Sequence, residues 1–262
     1  INQTLPNYTQ WTYHLDLWQH PSAVARMLNL EMWSDEHFEA IKQQMLPLAQ
    51  AGQKVITTTL NRDPWGSQTF DDYEDMIIWK KDKSGKWTFD YTIFDRYVET
   101  MMSIGINKQI NCFSMVPWDM KFRYWDEATS AYKFISTTTS TQEYRDLWTN
   151  FLTAFKAHLQ EKGWFEKTNI AMDERAESDM LNAYNIANAL GFNMALAGNY
   201  HSSLSDKLQD FCVALGQDKK FTAAQRADRK AKNRVTTIYT SCADTEPNIY
   251  TNSMPAEATY LP

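Results

Sequence analysis

The chain has 262 residues with 26 Lys and Arg against 32 Asp and Glu, a net charge of -6. That is the wrong sign for a protein that neutralises phosphate backbones, so nucleic acid is not an expected partner. Gly and Pro number eight each, roughly half of average usage, which sets aside collagen-like and low-complexity classes.

Helix-period segments alternate with short β-rich ones along the chain. The first expected strand is Tyr13 to Leu17, followed by a long loop. A helix then runs from Asp35 to Gln50, with Ser34 as N-cap and Gly52 just past its end. A second strand spans Lys54 to Thr59, and an insertion follows in which Met76 to Trp79 and Lys86 to Asp90 flank a turn and read as a β-hairpin. The helix Ile93 to Ile104 feeds a third strand, Gln109 to Met115, and Phe122 to Phe134 reads as a second hairpin. Ser140 with Glu143 suggests a capping box for a long helix ending near Lys162. Strand Asn169 to Met172, helix Ser178 to Leu190, strand Phe192 to Ala197 and strand Phe211 to Leu215 come next. Thr222 with Gln225 caps the helix carrying the basic run Arg226 to Arg234, which reads as a solvated face. The seventh strand is Val235 to Thr240, and Pro255-Ala256-Glu257-Ala258 reads as a helix start.

Strand-then-helix units in series predict parallel strands joined by helical crossovers. The expected architecture is an α/β fold, a (β/α)8 TIM-like barrel truncated at the C-terminus, with about seven strands present. A doubly wound open sheet is the alternative, although Trp18-Gln19-His20-Pro21 replaces a glycine-rich phosphate turn after the first strand. On this reading residues 1–262 form one barrel domain, incomplete at its C-terminal end. Cys112, Cys212 and Cys242 are widely spaced without a CxxC pair, and read as core thiols. No apolar run approaches the roughly 20 residues of a membrane span. The N-terminus lacks the regions of a signal peptide, as a mature protein or a piece of a longer chain would.

In a barrel the active site lies at the C-terminal ends of the strands. Three tryptophans, Trp18, Trp65 and Trp118, fall at expected strand ends, where indoles can stack on a sugar or simply pack. Asp173-Glu174 follows the apolar Asn169 to Met172, and neighbouring carboxylates at a barrel mouth are costly unless hydrogen-bonded or sharing a proton. Side chains alternate along a strand, so both acids reach one pocket only if the backbone leaves strand geometry there. A helix-capping Asp with a surface Glu is the competing structural reading. His14 and Asp16 share a face and His201 could join Asp173, but without H-x-H or HExxH no metal site is expected.

Six segments together resemble the catalytic domain of glycoside hydrolase family 123: His14 to Pro21, Trp33 to Phe38, Ala51 to Ile56, Pro64-Trp65 with Gln68-Thr69, Ser114 to Trp118, and Met172-Asp173-Glu174. Its members are bacterial β-N-acetylgalactosaminidases. The resemblance implies a (β/α) barrel that continues past this chain, preceded by a β-sandwich domain not included here. It implies substrate-assisted catalysis by Asp173 and Glu174, without a cofactor, on a glycan or glycolipid bearing terminal β-linked N-acetylgalactosamine. It also implies a protein exported to the periplasm or beyond. Asp173 is expected to be ionised and Glu174 protonated. Trp18, Trp65 and Trp118 are expected as pocket walls, with Gln19, His20, Asp119 and Tyr239 as hydroxyl or acetamide contacts. The rival readings are a retaining glycosidase with Glu174 as acid and Glu246 as nucleophile, and a non-catalytic sugar-binding module.

Overall fold

The computed structural model describes residues 4–239. The chain divides into two compact units, separated in sequence between Ala195 and Leu196.

In the first unit, Pro21 opens α1 (Pro21–Leu28), where a fixed φ suits the first turn and a missing N–H is no loss. This helix occupies the stretch expected to be loop. In α2 (Asp35–Gln50) the Ser34 hydroxyl accepts the His37 N–H at 3.1 Å, and Asp35 and Glu36 sit at the positive end of the helix dipole. Gly52 follows at φ +93, a conformation that an L side chain resists. Strand β1 (Val55–Thr59) is buried along its whole length. The first expected hairpin forms as β2 (Ile78–Lys81) and β3 (Trp87–Asp90), and α3 (Thr92–Ser103) leads into the buried β4 (Gln109–Phe113). The second hairpin is β5 (Lys121–Asp126) and β6 (Ala131–Ser136). Helix α4 (Gln142–Glu161) is capped one residue later than expected: Thr141, not Ser140, accepts the Tyr144 N–H. Strand β7 (Thr168–Met172) and α5 (Glu177–Ala189) follow.

The strand β8 (Asn193–Gly198) runs across the division. The second unit contains β9 (Asp210–Ala214), α6 (Ala223–Ala231) and β10 (Val235–Tyr239). Thr222 and Gln225 form the expected capping box on α6, and β10 pairs in parallel with β9. Thr240, Cys242, Glu246 and the helix start at 255–258 lie outside the described residues.

The truncated eight-stranded barrel is not what forms. One sheet has six strands in the order β1-β4-β7-β8-β9-β10, and a second has four in the order β3-β2-β5-β6. Two causes account for the correction. The hairpins read as separate insertions are joined edge to edge by a parallel pairing of β2 with β5, making a sheet of their own. The expected first strand contributes one bridge, Leu15 to Gln53, because side chains take the place of its backbone ladder. Gln53 accepts the Leu17 N–H at 2.9 Å and donates to Val55 O at 2.7 Å, while Gln19 accepts the Thr57 N–H at 2.8 Å. These amides satisfy the edge of β1, so the segment runs beside the sheet without joining it.

Within the first unit β1, β4 and β7 are parallel, with Thr57 opposite Asn111 and Asn111 opposite Asn169. Asn169 Nδ2 and Gln109 Nε2 both donate to Asn111 Oδ1, at 3.0 and 2.9 Å, and Asn111 Nδ2 donates to Asp16 at 3.4 Å. Two residues further along the same face, Phe113 and Ala171 pack with Trp65 and Tyr73. A satisfied polar row thus underlies an aromatic layer, and the strands' carboxyl ends lie beyond it.

Candidate active site

Strand β7 ends at Met172, and Asp173 begins a turn in which the Arg175 N–H donates to Asp173 O at 2.7 Å. The backbone therefore leaves strand geometry where the adjacent acids required it to. Asp173 does not cap the next helix: the N-cap of α5 is Ala176, with no side-chain cap. Both Asp173 carboxyl oxygens accept N–H groups. Trp118 Nε1 donates to Oδ2 at 2.7 Å, and the Glu174 backbone N–H donates to Oδ1. Burial pushes the Asp173 carboxyl above the ordinary range, whereas these two donors and the Arg175 charge pull it down. Glu174 is exposed beside it.

The indole that holds Asp173 is itself held. Tyr144 OH donates to Met115 O at 2.7 Å, the Val116 N–H donates to Ser114 Oγ at 3.0 Å, and the Trp118 N–H donates to Pro64 O at 3.0 Å. The Arg175 guanidinium lies 4.4 Å from the centre of the Trp118 ring. Gly66 lies so close that a Cβ there would stand 3.1 Å from Trp118 Cβ, which fixes the loop after β1 against the loop after β4.

The three expected tryptophans differ in exposure: Trp18 is 41% exposed and Trp118 37%, but Trp65 is 6% and belongs to the core layer. Ring centroids of Trp18 lie 5.3 Å from Trp65 and 4.8 Å from Phe113. Trp65 is therefore the support behind Trp18, a role set by its contacts. Gln19, expected as a sugar contact, is buried, and its amide bonds Thr57 and Val55 on the edge of β1. His20 stacks on Tyr73 with centroids 3.8 Å apart, and Nε2 bonds Asp71 O at 2.8 Å. A carbonyl can only accept, so Nε2 carries the proton and Nδ1, which has no partner, is the acceptor. Burial pushes the His20 imidazole below its ordinary value. Asp119 is exposed next to Trp118. Tyr239 ends β10 in the second unit, and Glu246 lies outside the described residues.

The pattern of the catalytic domain of glycoside hydrolase 123 matches residues 18–262. The chain belongs to glycoside hydrolase family 123. A solved structure of a family 123 glycoside hydrolase from Clostridium perfringens, described for glycolipid glycan hydrolysis, matches with a TM-score of 0.84 and 28% identity. The match covers 94% of this chain and 46% of that one, so the chain spans just under half that enzyme's length. No curated protein matches the sequence.

Three residues that sequence reasoning did not single out, Tyr73, Phe113 and Arg175, pack against the expected site residues. Tyr73 sits in the run Asp71-Asp72-Tyr73-Glu74-Asp75, whose acids pair with Arg26, Arg62 and Arg123. That charge balance signals a pinned loop and could have drawn attention to the aromatic inside it. Phe113 reads as an ordinary strand residue, and Arg175 reads as an ion-pair partner when its main contact is the indole face. Among the described residues, no group of three or more His, Cys, Asp and Glu gathers to hold a metal ion. Cys112 is buried under a 3.1 Å contact from Thr58 Oγ1, and burial pushes its thiol up to about 12.

Proposed function

We propose that this chain carries the catalytic apparatus of a β-N-acetylgalactosaminidase that uses its substrate's own acetamide as nucleophile. The observation that supports the reading is the double N–H clamp on Asp173, from Trp118 and from Glu174 itself. Two N–H donors favour the ionised, acceptor-only form against the burial that raises the carboxyl, and a carboxylate has lone pairs for more than two donors. Such a group can accept the acetamide N–H of a sugar and stabilise positive charge on that nitrogen.

In the reading, the acetamide oxygen attacks the anomeric carbon while the glycosidic C–O bond breaks. Glu174 delivers its proton to the departing oxygen, and a cyclic oxazolinium forms. Water then attacks the anomeric carbon, Glu174 takes the water's proton, and the ring opens to restore the acetamide. No enzyme nucleophile is required, which makes this a substrate-assisted variant of the two-carboxylate scheme. An internal nucleophile held in place is worth about 7–11 kcal/mol of positioning, and general acid help adds about 10²- to 10⁴-fold. Trp18 and Trp118 would wall the sugar.

The test compares Asp173→Asn and Glu174→Gln on aryl β-N-acetylgalactosaminides of graded leaving-group acidity. Glu174→Gln is expected to lose about 10²- to 10⁴-fold on the poorest leaving group and little on the most activated, whereas Asp173→Asn depresses both. Mild and equal effects from the two variants would refute the assignment.

A further inference from the structure

The second unit holds a cavity of about 330 Å³ bordered by α6 and the start of β10. Arg226, Arg229, Lys230 and Arg234 line it together with Asn233 and Thr236, and among the described residues no carboxylate belongs to the lining. Four cations around one small cavity run against the chain's net charge of -6. They come from the run Arg226 to Arg234, which the sequence alone presents as a solvated face.

Arg229 departs from that reading. It is 2% exposed, and its three nitrogens all donate to neutral oxygens: Nε to Thr236 Oγ1 at 2.7 Å, Nη1 to Ser205 O and Leu208 O at 2.9 Å each, and Nη2 to Val235 O. The hydrogen bonds are satisfied while the charge is not neutralised, and a buried charge is ordinarily paired. Burial and then the Arg234 charge push this guanidinium down to about 10, with Asp210 and Asp228 opposing through their charge. Asp228 is already shared between Lys232 at 2.8 Å and Arg234 at 3.5 Å. Arg226 donates to the backbone oxygen of Asp218, not to its carboxylate. Lys230 is exposed and has no ion pair among the described residues.

The cavity thus gathers positive charge that the neighbouring acids do not offset, and Arg226 and Lys230 present theirs to solvent. An arginine fork and a lysine ammonium in one concavity match a tetrahedral oxyanion, and a bound anion relieves the repulsion among the four cations. We infer that this cavity binds a phosphate-class oxyanion, free or as a monoester, held by Arg226 and Lys230 with the charges of Arg229 and Arg234 adding to the attraction. The inference stands apart from the glycosidase reading and uses none of its residues.

The experiment is calorimetric titration of the 262-residue protein with inorganic phosphate and, separately, with glycerol 3-phosphate, at an ionic strength held constant with sodium chloride so that general screening is the same throughout. Lys230→Gln and Arg226→Gln each remove one exposed charge and leave the buried Arg229 in place, and Lys83→Gln in the turn of the first hairpin is the control. Saturable binding at one site is expected, weakened about tenfold in each of the two cavity variants and unchanged in the control. Equal affinity for the two probes identifies the free ion as sufficient, and tighter binding of glycerol 3-phosphate identifies a monoester; both support the site. Absence of saturable binding to either probe overturns it, as does a loss in Lys83→Gln as large as that in Lys230→Gln.

Discussion

Two aromatic clusters in the first unit use the same residue types for opposite ends. Trp79, Trp148 and Phe151 pack between the first hairpin and α4, with Trp79 stacked on Phe151 at 4.5 Å and edge-on to Trp148 at 5.4 Å, and all three are fully buried. Trp18, Trp65 and Trp118 stand beyond the carboxyl ends of β1 and β4 with graded exposure. The polar handles differ as well: Trp79 Nε1 donates to the backbone oxygen of Leu60 at 2.8 Å, whereas Trp118 Nε1 donates to the Asp173 carboxylate at 2.7 Å. Tryptophan abundance therefore does not by itself separate a packed layer from an exposed one; exposure and the partner of the indole N–H do.

The sharpest way to break the comparison is truncation in each cluster. Trp79→Ala removes a fully buried indole from the centre of a packed layer, and is expected to cost about 3–5 kcal/mol of stability in denaturant titration. Trp118→Phe keeps most of the ring and removes only the N–H. Its stability should stay close to wild type, while kcat/KM falls about 10- to 100-fold, the equivalent of one hydrogen bond to a charged group at about 1.5–3 kcal/mol. If Trp118→Phe instead unfolds the protein and spares activity, the two clusters are alike.

The same variant has a signed pH effect. In the proposed mechanism Asp173 is ionised to receive the acetamide; its carboxyl sits above the ordinary value through burial, with the Trp118 N–H pulling it down. Removing that donor leaves burial less opposed, so the pKa rises further. Activity that is lost as pH falls through the Asp173 pKa is then lost at a higher pH. The acid limb of the kcat/KM profile is expected to move up in Trp118→Phe, and an acid limb that stays or moves down would detach Asp173 from the profile.

Much of the architecture was legible. The boundaries of α2, both hairpins, the course of α4 and the capping box on α6 follow from caps, glycines and hydrophobic period, which are local signals, although the cap of α4 falls at Thr141 and not Ser140. Asp173-Glu174 stands out in the sequence because two acids after an apolar strand break the pattern, and the backbone does turn out of the strand there. The segment 13–17 was misread because alternation says nothing about what satisfies a neighbouring strand's edge. Here Gln19 and Gln53 satisfy it from outside their own local structure, and no period encodes that. For the same reason the burial of Gln19 and its bonds to the edge of β1 were not legible. Gln19→Ala leaves the Thr57 N–H and the Val55 carbonyl without this partner, and is expected to cost about 1–3 kcal/mol. Since Gln19 adjoins Trp18, activity should fall with stability in this variant, unlike in Trp118→Phe.

The finest comparison lies inside the structural cluster. Trp79 Nε1 has a backbone acceptor, but Trp148 Nε1 is buried without one, so the two indoles differ in polar satisfaction and little else. Changing each to Phe deletes similar apolar volume. In Trp79→Phe the change also strands the Leu60 carbonyl, a loss of about 1–3 kcal/mol beyond the packing change. In Trp148→Phe it removes a donor that was already a burden, which offsets part of the packing cost. Trp148→Phe is therefore expected to be the mildest of these variants, about 1 kcal/mol or less by denaturant midpoint, and measurably milder than Trp79→Phe. Equal losses would mean that the edge-on rings around Trp148 supply its N–H with an acceptor worth as much as a carbonyl.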